Sequence, residues 1–187
     1  FGVYRSLDLF SILVLVLASS QALMFTFMLI LLFDSRYVTF ANVMKHAAPS
    51  LVFILLYVVS CCIEADVCVY SLAEWRACVV HNLPLAVRTL FGVTYTVQLF
   101  VYVRLFFRKK HRYITHLKEL TGECISKLEL RWTMRAFLYA LSIGIGAWVL
   151  LVCPGPIPEF SFSFLIVVFY PAFAWLYTNY QYTYEML

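Results

Sequence analysis

The feature that most constrains this chain is the run from Leu9 to Phe33, 25 consecutive uncharged residues bracketed by Asp8 and Asp34. A helix needs about 20 mostly apolar residues to cross the hydrocarbon of a bilayer, and this run supplies them with only Ser11, Ser19, Ser20, Gln21 and Thr26 as polar interruptions. Helices tolerate such groups in lipid, where hydroxyls and amides bond back to the backbone or to a neighbouring helix. The run is too long for the apolar core of a signal peptide, and no short core with a small-residue cleavage site stands at the start. It reads as a true span.

Four further runs follow. The second extends from about Ser50, after Pro49, to about Ala73. The third runs from Pro84, a favourable first-turn residue because its missing N–H has no partner there, to Phe107. The fourth covers Ala136 to Cys153 and stops at Pro154, Gly155, Pro156, Ile157 and Pro158, where three prolines interrupt helical hydrogen bonding. The fifth reaches from Phe160 to about Tyr180, with Pro171 expected to kink it. Hydrophobic residues make up 64% of the 187 and charged residues 13%, against roughly half and a quarter in a soluble domain, so no water-soluble core could absorb these runs. The fold expected is all-α: a polytopic transmembrane helix bundle of about five spans, forming a single membrane domain over residues 1–187 without internal repeats.

Charge orients the bundle. Eight of the 14 basic residues lie between Arg108 and Arg135, in the segment that separates the third and fourth runs. Basic residues in short loops collect on the cytoplasmic side or its equivalent, which places 108–135 inside, the 34–49 segment with Arg36 and Lys45 beside it, the N-terminus outside and the C-terminus inside. The net charge of +4 therefore reads as membrane topology, and nucleic acid is not an expected partner. Membrane lipids and other membrane protein subunits are. The alternation of basic residues with Ile114, Leu117, Leu120, Cys124 and Leu128 suits either a basic helix lying on an anionic leaflet or a solvated loop, and Arg108, Lys109, Lys110 and Arg112 are the candidate contacts to anionic lipid. Gly122 weakens any long continuous helix there.

The second and third runs carry charge at membrane depth. A carboxylate there costs several kcal/mol unless paired, neutralised or wetted, and the second run holds both Glu64 and Asp66. On a helix these two point about 200° apart, so they need different partners. In a tight antiparallel hairpin Arg88 falls near Asp66, and the pair Asp66–Arg88 is expected, with Glu64 accepting hydrogen bonds from Thr94, Tyr95, Thr96 or Gln98. Three readings stay open: a proton or cation path, a lock between helices or subunits, and a stretch that is not at membrane depth. In the fourth run Ala136, Ala140 and Gly144 repeat every four residues, and Ser142 with Gly146 forms a second small pair, a pattern that lets membrane helices approach closely.

Chemistry beyond this finds little support. Cys61, Glu64 and Cys68 share a helix face at i, i+3, i+7 spacing, but a zinc or copper site needs further ligands, and no metal is expected. His46, His81, His111 and His116 all fall in loops or at span ends, whereas haem between spans needs facing histidines in span interiors, so no cofactor is expected. No catalytic triad order, P-loop, dinucleotide glycine pattern or zinc-protease histidine pair occurs, and no catalytic residue is assigned. Arg88, Arg104 and Arg108 stand sixteen and four apart, not at the every-third spacing of a voltage sensor. The function expected is that of a non-catalytic structural or assembly subunit of a larger membrane complex. The alternative is a channel, transporter or receptor component with a path lined by Glu64, Asp66 and Arg88.

Overall fold

The computed structural model describes residues 7–121 and 126–185 and is all-helical over them. The elements are α1 (Ile12–Leu31), α2 (Phe40–Ile63), the short α3 (Leu72–Cys78), α4 (Leu83–Thr121), α5 (Ser126–Val152) and α6 (Pro156–Glu185). Five of the six, all but α3, are long and apolar enough to cross a membrane. The chain is thus a multi-pass membrane protein in architecture.

Several boundaries differ from the sequence expectation, and the clearest have local reasons. The second span begins at Phe40, not Ser50, because Thr39 caps it: its hydroxyl accepts from Asn42 N at 3.4 Å. Pro49 then sits inside α2, where it removes one backbone hydrogen bond without ending the helix. His46 consequently lies within a span rather than in a loop. At its other end α2 stops at Ile63, with Glu64 extended, so residues 64–71 form an irregular segment and not the last turns of a span. The third difference is at 108, where α4 does not give way to a loop but continues as helix to Thr121. Gly122 and Cys124 lie outside the described residues. The break before α6 is shorter than the three prolines suggest: it falls at 153–155, Pro156 and Pro158 enter the first turn of α6, which begins four residues before Phe160, and the helix is continuous through Pro171.

Packing makes α1 the hub. Of its spanning window 44% is buried, against 6% for α2 and 11% for α6, so α2 and α6 form the rim. One half of the core joins Leu15 and Ala18 of α1, Phe91 and Tyr95 of α4, and Ala147 and Leu151 of α5. The other half is aromatic. Phe106 of α4 stacks flat on Phe137 of α5 at 3.9 Å, and Phe25 of α1 meets Phe169 and Phe173 of α6 edge-on at 4.9 and 5.0 Å.

The small residues of α5 account for its close approaches. A Cβ on Gly144 would stand 3.0 Å from Leu99 of α4, and Tyr95 donates to the Gly144 carbonyl at 3.1 Å. Ala136 is fully buried and Ala140 packs against the aromatic half of the core. Gly146 turns toward α6, where a Cβ would lie 3.1 Å from Phe162 and 3.2 Å from Leu165. Ser142 donates to its own helix, at Tyr139 O, 2.7 Å away. These residues hold α4 and α6 on α5 within one chain.

Candidate functional site: a buried arginine between two aspartates

At the end of the bundle where α1 begins and α2 ends, the irregular segment 64–71 and α3 fold over the helix ends. Each piece is fixed by caps. Ser71 accepts from Glu74 N at 3.2 Å while Glu74 reaches back to Tyr70 N at 3.1 Å, a reciprocal arrangement that starts α3. Asn82 caps α4 by accepting from Leu85 N at 3.0 Å, and its amide donates to Ala65 O at 2.9 Å. Glu64 accepts from Leu83 N at 2.8 Å, placing a carboxylate on the positive end of a 39-residue helix. Leu9, Val69 and Leu85 form a small buried cluster beneath this layer, with Trp75 beside it donating to Thr89 Oγ1 at 3.1 Å.

Arg88 lies at the centre of the layer and is 1% exposed. Its Nη1 is hydrogen-bonded to Asp8, its Nη2 donates to Val67 O at 2.9 Å, and the same Nη2 lies 3.2 Å from Asp66 Oδ1. The other Asp66 oxygen accepts from Tyr57 OH at 2.8 Å. One guanidinium thus gathers the segment before α1, the 64–71 segment and α4, with α2 joined through Tyr57. Asp66 Oδ1 and Arg88 Nε have no hydrogen-bond partner among the described residues, and the 3.2 Å approach of Arg88 Nη2 to Asp66 Oδ1 is an ion contact. With both aspartates ionised the cluster carries one net negative charge.

The structure therefore brings Asp66 and Arg88 together and sends Glu64 elsewhere. The groups expected to serve Glu64 are occupied: Thr94 donates to Leu90 O, Tyr95 to Gly144 O, Thr96 to Gly92 O, and Gln98 exchanges with Ser50 at 3.2 Å. The shared face of Cys61, Glu64 and Cys68 does not form, because the helix carrying it ends at Ile63. Sequence reasoning missed Asp8, which it read only as the edge of the first run. The signal was there in the charge bracketing that run, but its partner stands 80 positions away.

A second polar cluster occupies the opposite end of the bundle. Lys109 donates to Asp34 at 2.8 Å and sits over the Tyr37 ring at 3.6 Å. The hydrogen bond from Lys109, reinforced by its charge, holds the Asp34 carboxyl below the usual carboxylate range against the opposing effect of burial. Lys109 is consequently buried and spent on the chain's own loop, which corrects its place among the lipid contacts. Arg108 and Arg112 are exposed and Lys110 is half-buried. Tyr37 also approaches His46 Nε2 at 3.3 Å, and that imidazole packs against Phe27 and Tyr102 with centroids 5.4 and 5.9 Å away. Comparison of the chain with protein-family models, with curated proteins and with solved structures gives no match.

Proposed function

We propose that this chain is a non-catalytic, multi-pass subunit of a larger membrane assembly, with the Arg88 layer outside and the Lys109 end inside. The observation that carries the reading is the closure of Arg88 between Asp8 and Asp66. A charge at this depth that serves transport must meet water along a path, whereas Arg88 is 1% exposed and its partners come from the chain itself. Such a cluster acts as a lock that fixes three segments in register. The outward faces of α2 and α6 are then left apolar, with Leu51, Leu55 and Val59 exposed on the one and Phe160, Phe164 and Val167 on the other. These faces suit lipid and the helices of other subunits alike. The side assignment rests on Arg36, Arg108, Lys110 and Arg112 gathering at the Lys109 end.

The test is native mass in a mild detergent. The protein component is expected to exceed the 21.7 kDa of one chain, and a monodisperse particle of one chain overturns the subunit reading. One observation bears on the second reading, a channel, transporter or receptor component: Asp66 Oδ1 and Arg88 Nε have no hydrogen-bond partner among the described residues, so the cluster keeps spare hydrogen-bonding capacity that water entering the layer would take up. Flux in proteoliposomes separates the two. Asp66→Asn abolishes flux with assembly intact on the path reading, and weakens assembly on the lock reading.

A further inference from the structure

Between α4 and α5 runs a lateral groove of about 440 Å³ walled by Leu99, Phe100 and Val103 from one helix and Leu141, Ile145 and Trp148 from the other. One end is closed by the hydrogen bond from Trp148 Nε1 to Thr96 Oγ1, 3.0 Å. From Thr96 to Val103 the groove extends about 10 Å along the helix. Its walls are apolar, so in a membrane its occupant is hydrocarbon.

The open end points toward uncompensated positive charge. Phe106 stacks on Phe137 and Thr96 bonds Trp148, which sets an antiparallel register in which Arg108 of α4 is level with Arg135 of α5. That level lies about 7 Å beyond Val103. Arg104 is one turn nearer the groove and only about 40° around the helix from Arg108. All three arginines are exposed, as are Val97, Phe100 and Val101 on the same outward side of α4. Among the described residues none of the three has an ion-pair partner, while Lys109, on the inner side of α4, is neutralised by Asp34. Arginines near the end of a span reach along apolar surface to the headgroup layer, and their planar forks match phosphate oxygens.

The geometry points to a site for one anionic phospholipid, its acyl chain in the α4–α5 groove and its phosphate held by Arg104, Arg108 and Arg135. The site goes beyond the subunit reading and does not depend on it. Of the four residues that the sequence offers as lipid contacts it keeps only Arg108, and it adds Arg104 and Arg135, which spacing within one loop does not single out.

Trp148 lines the groove and reports its occupant. The protein is reconstituted into phosphatidylcholine vesicles in which a minor fraction of lipid carries bromine on its acyl chains, either as phosphatidylglycerol or as phosphatidylcholine. Bromine quenches tryptophan on contact, and the Trp148→Phe variant isolates this residue from the other three. Brominated phosphatidylglycerol is expected to quench Trp148 more strongly than brominated phosphatidylcholine at the same fraction. Each arginine removed is expected to lower that preference by up to about fivefold, so R104Q/R108Q/R135Q loses it and Arg108→Gln alone weakens it. A control of equal charge, R36Q/K45Q/R112Q, keeps it. Equal quenching by the two lipids overturns the site, and so does a preference that the control loses as completely as the triple variant, which would be the field of the whole leaflet.

Discussion

Arg88 is the residue on which the most structure depends. Removing one partner of a buried ion pair costs about 3–5 kcal/mol, because the remaining charge is left in a poor environment. Arg88→Ala strands two carboxylates and is expected at the top of that range, read as a lowered unfolding midpoint in detergent. Asp66→Asn leaves the Asp8 bond in place and should cost far less, about 1–2 kcal/mol; equal losses in the two variants would mean that the cluster does not act through Arg88. A second residue-scale constraint is the pair Phe10 and Gly92. Phe10 holds a left-handed φ of 53° as the chain enters α1, which is strained for a bulky residue. Its ring lies on Gly92, where a Cβ would come within 2.7 Å of it. Gly92→Ala should therefore destabilise by about 1–3 kcal/mol, and Phe10→Ala in the same chain should recover part of that loss, a coupling that a double-mutant cycle measures.

Between elements the connections divide into what local sequence states and what only the fold supplies. Five apolar runs are visible in the sequence because hydrocarbon demands length and composition, and both are local properties. The ends of the second run are not, since Pro49 reads as a barrier only until the Thr39 cap is seen to start the helix upstream. Glu64 and Asp66 read as span residues because nothing nearby announces that their partners are Leu83 N and Arg88. Asp66 with Arg88 was legible from the hairpin, but Asp8 was not. The small residues of α5 announced close packing without saying that the partners were α4 and α6 of the same chain. At the other end, Lys109 and Asp34 tie α4 to the connection between α1 and α2. Asp34 has a folded pKa below its unfolded value, so this contribution is fully present above the unfolded pKa of about 4 and fades as pH falls through the folded one. The midpoint of unfolding should decline on acidification, and Lys109→Gln should flatten that decline; an unchanged acid slope in the variant would remove the pair from the account.

For the molecule as a whole, the arrangement of crossings has consequences that do not depend on which side is which. Cys68 lies in the 64–71 segment and Cys153 just after α5, both exposed, and α4 and α5 are the two crossings between them. Two crossings return the chain to the side it left, so both thiols must face the same compartment although 85 positions separate them in sequence. Ser35, between α1 and α2, stands one crossing from Cys68, because α2 alone lies between. A cysteine-free background carrying single thiols at Cys68, at Cys153 or from Ser35→Cys can be treated with a membrane-impermeant maleimide before and after permeabilisation. Cys68 and Cys153 are expected to label together and the thiol at position 35 under the opposite condition, since no arrangement that loses either α4 or α5 as a crossing keeps the first two on one side. The absolute sense is what the charge-based proposal predicts. With the basic residues of α4 inside, and in a membrane whose outer face the maleimide meets first, Cys68 and Cys153 label before permeabilisation and position 35 only after it. The reverse pattern keeps all five crossings and overturns the side assignment alone, whereas Cys68 and Cys153 on opposite sides would break the bundle that places Arg88 between Asp8 and Asp66.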